Sequence, residues 1–186
     1  PTSGPAAHLG KDNVNGVRLA IADLNARGLR IGGKAARFEL IAEDDAADPR
    51  QGVQAAQKLC DQKVAGVVGH LTSGSTLPAT KVYNDCGIPN ISPTASNPKI
   101  TQQGFATTFR ILANDNITGA GLANYAADGL KLSRVAVVDD RSTYGQGVAD
   151  AFRKTAQAKG LKVVAEQYTS DKVNDFSALL TAIKAS

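Results

Sequence analysis

The chain has no tryptophan and no methionine, and its aromatic content is only 5%. Stacking platforms for single-stranded nucleic acid are built from such rings, so the composition argues against that class. Charge points the same way: the net +4 is modest, and the basic residues are scattered as on a solvated surface. No apolar run approaches the ~20 residues that a membrane helix needs. The only histidines are His8 and His70, and neither has Cys, His or Asp neighbours at zinc-ligand spacing. There is no GxxxxGK[ST] run. Leu71 stands two residues before Ser73, where a GxSxG elbow needs glycine. Residues 145–150, GQGVAD, follow a predicted strand and open a predicted helix, but Asp150 replaces the third glycine of a dinucleotide fingerprint and would repel a pyrophosphate. No catalytic residue, metal site or cofactor is therefore assigned. No signal peptide precedes Pro1, which decides nothing, because a secreted protein loses it.

What is present is an ordinary globular composition, 42% apolar and 20% charged, at a length that suits one or two domains. The chain is organised around residues 64–98. Residues 64–69 are a short β-branched apolar run and read as a strand. A polar loop follows, His70-Leu71-Thr72-Ser73-Gly74. Ser75 is a candidate N-cap for a helix over 76–86, which Gly87 ends. Residues 88–91 read as a second strand, and Ser92-Pro93-Thr94-Ala95-Ser96 as a second hydroxyl-rich loop. In open α/β sheets ligands bind outside the carboxyl ends of strands. Hydroxyls, backbone N–H groups and a helix N-terminus together suit a small anion such as a carboxylate. His70 reads as a structural hydrogen-bonder rather than a base.

The rest of the chain alternates in the same way. Residues 10–26 carry Val14, Val17, Ile21 and Leu24 at helical spacing, with Gly28 as the stop. Residues 36–43 alternate Phe38, Leu40 and Ala42 and predict a strand. Glu43-Asp44-Asp45 then reads as a solvated loop, since no partner lysine or phosphate loop accompanies it. Asp48-Pro49 starts a helix to about Gln62, with Val53, Ala56, Leu59 and Cys60 as its apolar stripe. Residues 98–101 suggest a turn, 107–112 a strand, 117–130 a helix, 135–138 a strand, 145–159 a helix, 162–168 a strand and 175–185 a helix with Phe176, Leu179, Leu180 and Ile183 on one face. The fold class is α/β, with parallel sheets, flanking helices and all the singled-out loops on one sheet edge. Cys60 and Cys86 end successive helices; the spacing leaves a disulfide and two buried thiols equally open.

GHLTSGST and YNDCGIPNISPTASNP, with SGPAAHLGKDNVNGVRLAIADLNARG, EDDAADPRQGVQAAQKL, FRILANDNITG and DDRSTYGQGVADAF, resemble in order the type I periplasmic binding proteins. The likeness is to the leucine/isoleucine/valine-binding proteins of ABC importers. The resemblance implies a periplasmic or secreted, non-enzymatic, monomeric binder that closes two lobes on an amino acid and is read by a membrane permease. It places residues 1–113 in a first lobe that lacks its first strand and 114–186 at the start of a second, incomplete lobe, with Asn114 and Asp115 at the hinge. The Ser73 hydroxyl would hold the ligand carboxylate. The Thr94-Ala95-Ser96 backbone and the Ser96 hydroxyl would contact carboxylate and ammonium, and Tyr144 would close from the second lobe. Leu9 falls where the branched-chain binders carry an aromatic residue over the ligand side chain. The acidic partner of the ammonium would lie beyond Ser186. A periplasmic location favours the Cys60–Cys86 disulfide; the family often bridges instead the positions that are Ala47 and Thr72 here. Two other readings stay open: a ligand-sensing domain or a binder of another small acid or amide on the same fold, and a doubly wound enzyme using Asp44, Asp139 or Asp140 with Mg²⁺.

Overall fold

The computed structural model describes all of residues 1–186, and the chain divides into two compact units. The first comprises Pro1–Ala95 and Gln103–Ile111; the second comprises Ser96–Gln102 and Leu112–Ser186. The short segment Ser96–Gln102 thus groups with the later residues. It is tied there by the Asp115 N–H donating to the Ser96 carbonyl (3.0 Å) and by Asn97 Nδ2 donating to the Thr143 carbonyl (2.8 Å).

In the first unit, α1 spans Ala7–Ala26, and the expected stripe of Val14, Val17, Ile21 and Leu24 is its partly covered face. Gly28 takes a positive φ (60°) just past its end. A tight hairpin follows, β1 (Arg30–Ile31) and β2 (Lys34–Ala35), turning through Gly32 and Gly33 with both φ values positive. The expected strand over 36–43 is not one. Phe38 and Leu40 are partly covered, but the segment makes no ladder. A strand requires a hydrogen-bonded neighbour as well as alternation. Here the Asn25 side chain substitutes at one residue, its Nδ2 donating to the Phe38 carbonyl (2.9 Å) and its Oδ1 accepting from the Phe38 N–H (2.8 Å).

Helix α2 (Pro49–Asp61) begins as its sequence dictates, with Asp48 accepting from the N–H groups of Arg50 and Gln51 and proline at the first position. Strand β3 (Val67–Val68), helix α3 (Ser73–Cys86), strand β4 (Asn90–Ser92) and strand β5 (Thr108–Arg110) complete the unit. The sheet order is β3-β4-β5, all parallel, with Val68, Ile91 and Phe109 in register. The core lies between α2, α3 and β3: Ala56, Leu59, Cys60, Ala79, Tyr83 and Ile88, with Val64, Val67 and Val82 against them. Cys60 and Cys86 are joined by a disulfide across this core, with Cα atoms 6.1 Å apart.

The second unit contains the one-turn helix α4 (Lys99–Gln102), where only a turn was expected, and α5 (Asp115–Asn124), capped by Asn114. The latter continues into a π-helical turn, Tyr125–Gly129. Strands β6 (Arg134–Asp139) and β7 (Lys162–Tyr168) pair in parallel, with a register shift at Val135/Ala136. Between them runs α6 (Thr143–Ala158), capped by Ser142 and followed by Gly160 at φ 70°. Ala123, Ala126, Ala156 and Leu161 form the core, with Phe152, Val135 and Val163 packed on it. Helix α7 (Ser177–Lys184) is shorter than expected, and of its expected apolar face Leu180 and Phe176 are exposed.

Helices α5 and α6 approach so closely at Gly119 that a Cβ there would lie 2.6 Å from both the Ala151 Cβ and the Val148 carbonyl oxygen. Gly119→Ala is therefore expected to cost about 1–3 kcal/mol as overpacking. Gly121→Ala, on the same helix with nothing within 4 Å, should be neutral or slightly stabilising. Urea denaturation of both variants checks this, and equal effects would rule out the close approach.

Candidate functional site

The loop between β3 and α3 leaves the ladder at Gly69 and enters the helix at Ser73. The helix starts earlier than the sequence suggested. Thr72, not Ser75, is the N-cap; its Oγ1 accepts from the Ser75 N–H (3.3 Å) and donates to Ser75 Oγ (3.1 Å). Pro78 is taken inside the helix, where it has no N–H to donate. Ser73 is thereby the first helical residue and is almost fully enclosed, at 1% exposure.

The peptides ahead of Ser73 are held by hydroxyls. Thr76 Oγ1, at 0% exposure, donates to the Thr72 carbonyl (2.7 Å) and lies 3.3 Å from the His70 carbonyl. Thr94 Oγ1 donates to the Leu71 carbonyl (2.8 Å) and so ties the loop after β4 to the loop after β3. Because a trans peptide is planar, fixing the carbonyls of His70, Leu71 and Thr72 also fixes the N–H directions of Leu71, Thr72 and Ser73. In the second loop, Ser92 Oγ accepts from the Ala95 N–H (2.9 Å), and Ala95 is buried. These three residues of the first unit, Ser73, Thr94 and Ala95, therefore stand on two linked loops at the carboxyl ends of parallel strands. Leu9, in the same unit, is half exposed on α1.

His70 is clamped at both ring nitrogens. Nδ1 lies 2.6 Å from Asp45 Oδ2, and Nε2 lies 3.0 Å from the Tyr83 hydroxyl. This corrects the expectation that Glu43-Asp44-Asp45 is a solvated loop, because Asp45 is buried at 3% exposure. Asp45 also accepts from the Ala47 N–H (2.9 Å) and pairs with the amino group of Pro1 (2.9 Å). Burial alone would raise its pKa, but the bonds from His70, the amino group and Ala47 outweigh it and hold the carboxyl well below the usual range. Asp44 is likewise held low: burial works against the charge, but the Ser3 side chain and the N–H groups of Thr2 and Ala46 prevail. Tyr83 is pushed above its ordinary value by burial and then by the charge of Asp45. Sequence reasoning missed the Asp45–Tyr83 arrangement, whose partners lie 25 and 13 residues from His70. It also missed Thr76, although its spacing of four from Thr72 was a readable signal.

In the second unit, Ser96 is buried and its carbonyl accepts from the Asp115 N–H, so two of the expected functional residues meet through backbone. Asn114 caps α5 by accepting from the Asn116 N–H (3.1 Å). Asp139 accepts from the Arg141 N–H (2.8 Å) and from Arg153 (3.2 Å), and Asp140 from the Ser142 N–H (2.9 Å). Tyr144, in the first turn of α6, is half exposed, and the Arg141 guanidinium lies 3.9 Å from the centre of the Tyr168 ring. Asp44, Asp139 and Asp140 each accept backbone N–H groups, and Asp139 also pairs with Arg153. No group of three or more His, Cys, Asp or Glu side chains is arranged to hold a metal ion.

The sequence profile described as periplasmic binding protein matches residues 1–186. The chain belongs to that family. It is 39% identical over its whole length to an amino acid binding protein of Pseudomonas aeruginosa, covering 49% of that protein. It is 38% identical to Leu/Ile/Val-binding protein homolog 1 of Brucella melitensis, over 99% of this chain and 49% of the relative. The branched-chain amino acid transporter substrate binding protein LivJ of Streptococcus pneumoniae, solved in complex with isoleucine, superposes with a TM-score of 0.86 at 30% identity, over 100% of this chain and 52% of that one. A solute binding protein of Rhodopseudomonas palustris, solved with 3,4-dihydroxy benzoic acid, gives 0.83 at 25% identity, over 100% and 49%. The chain spans about half the length of the curated relatives it matches. The α/β architecture with parallel sheets is that of the type I periplasmic binding proteins.

Asp45 gives this periplasmic binding protein a defined acid response. Its folded pKa is depressed, so the unfolded chain binds more protons than the folded one in acid, and stability rises with pH there. Its contribution is complete above the unfolded carboxylate pKa of about 3.9 and is lost progressively as pH falls below that. Asp45→Asn is expected to flatten the stability-against-pH curve below about pH 4, read by urea denaturation at each pH. A second expectation concerns the loop: Thr76→Val, nearly isosteric, should destabilise the protein by about 0.5–1.5 kcal/mol, the scale of one hydrogen bond, because the Thr72 carbonyl keeps the Thr76 N–H while the His70 carbonyl loses its hydroxyl donor. An unchanged denaturation midpoint would remove that role.

Proposed function

We propose that this chain belongs to the substrate-binding component of an ABC importer, a periplasmic protein that binds a branched-chain or related amino acid and presents it to a membrane permease. The observation that carries the reading is the pair of linked loops at the strand ends, with the enclosed first turn of α3 between them. A helix N-terminus favours an anion. A hydroxyl already withdrawn from water bonds an anion more strongly than one on the surface. In this reading Ser73 anchors the ligand carboxylate, the backbone of Thr94 and Ser96 adds contacts around Ala95, and Tyr144 closes from the second lobe. Asn114 and Asp115 lie where the chain passes between lobes, and closure is favoured only to the extent that the ligand binds the closed state better. The protein acts as a monomer, without cofactor or chemical step.

A second reading keeps the fold and changes the ligand to another small acid, in transport or in sensing. Leu9 favours it, since an aliphatic residue stands where the branched-chain binders resemble one another in carrying an aromatic ring. The relatives differ in the same way, one solved with isoleucine and one with a dihydroxybenzoate.

The test is a thermal-shift screen of the purified protein against the twenty amino acids and small aromatic acids, followed by calorimetry. A ligand that binds only the native state raises Tm. Leucine, isoleucine or valine is expected to do so, and Ser73→Ala to weaken that ligand by about 1–3 kcal/mol, the scale of a lost hydrogen bond to a charged group. A shift with aromatic acids alone would transfer the assignment to the second reading. Unchanged affinity in Ser73→Ala would remove Ser73 as the anchor.

A further inference from the structure

Asp45, His70 and Tyr83 are not used by the functional reading, yet they form one continuous hydrogen-bonded line. An ionised carboxylate only accepts. Asp45, which also faces the Pro1 amino group and the Ala47 N–H, is therefore the acceptor of the 2.6 Å bond, and His70 Nδ1 carries the hydrogen. Tyr83 is fully enclosed, and its hydroxyl lies 3.0 Å from Nε2. The line therefore runs from the Tyr83 hydroxyl through the His70 ring to the Asp45 carboxylate.

The three residues come from three different elements: the loop before α2, the loop after β3, and the last turns of α3. His70 is the one that also belongs to the site loop. Its own carbonyl lies within reach of Thr76 Oγ1, which holds the Thr72 carbonyl at the entry to Ser73. The ring is thus fixed on one side and the peptide on the other. We propose that this line, with His70 Nδ1 donating to Asp45, is a positioning device: it sets the orientation of residues 70–73, and through them ligand affinity, without serving as an anchor itself. The ligand arm of the test rests on the reading of 70–73 as the anchoring loop; the other two arms do not.

Nitrogen NMR of the His70 imidazole is expected to show a proton on Nδ1, held toward Asp45. A ring protonated at Nε2 alone would overturn the proposal whatever the ligand. Tyr83→Phe keeps the ring and removes the terminal donor. It should speed amide exchange at 71–76 more than at 55–59 in α2, whereas a general loss of stability would speed both alike and overturn the positioning role. Against whichever amino acid or small acid the wild-type protein binds, Tyr83→Phe and His70→Leu are expected to lower affinity roughly fivefold to tenfold, the scale of one hydrogen bond. His70→Gln, whose amide offers one donor and one acceptor, should restore most of it. Wild-type binding with unchanged affinity in Tyr83→Phe would overturn the proposal and leave the functional reading standing. A wild-type protein that binds none of these ligands would instead defeat the functional reading, with the proton order and local exchange still decided by NMR.

Discussion

Two peptide carbonyls, those of His70 and Leu71, lie past the ladder of β3 and ahead of the ladder of α3. Neither regular element satisfies them, and side-chain hydroxyls do so instead. Much of the first unit follows from how they are met. Thr76 and Thr94 bring hydroxyls to them, which is why α3 turns a hydroxyl-bearing face inward and why the loop after β4 sits against the loop after β3. The same requirement places Thr72 as a cap rather than Ser75, because a helix starting later would carry Thr76 away from the Thr72 carbonyl it holds.

This polar solution sits directly beside an apolar one. Ala56, Leu59, Ala79, Tyr83 and Ile88 form a small core between α2 and α3, and Tyr83 belongs to both regions, with its ring in the core and its hydroxyl on His70. An amphipathic side chain of this kind is suited to a boundary where one end is apolar and the other needs a partner. In the second unit the helices pack through small residues, with Gly119 against Ala151 and an alanine-rich contact around Ala123 and Ala156.

Several features whose partners lie within four residues were legible in the sequence, although the Thr72 cap and its bond to Thr76 were not. Asp48 and Pro49 announced α2, and Gly28, Gly87 and Gly160 sit past helix ends with positive φ. Residues 162–168 were read as a strand and are β7. Two of the failures required a distant partner. Residues 36–43 alternate as a strand should but find no ladder, and Asp45 reads as solvated until His70 arrives from 25 positions away. The hairpin over 30–35 was missed although Gly32-Gly33 is a turn signal, because each of its strands is only two residues long. The hydroxyl loops were legible as a cluster at strand ends. Which hydroxyl serves the fold, as those of Thr76 and Thr94 do, could not be read from residue type.

The disulfide joins Cys60, near the end of α2, to Cys86, the last residue of α3, so the intervening chain is a covalent ring. That ring contains β3, the loop of His70 to Thr72, and all but the closing residue of α3. In the chain-entropy picture, closing a ring of this size restricts the unfolded chain by about 3–4 kcal/mol. A cut in the backbone anywhere inside it would open the loop without releasing a fragment, since both new ends stay tethered through sulfur. The segment that carries Ser73 can therefore be nicked and still remain attached at its two boundaries, and only a reductant would let the pieces part.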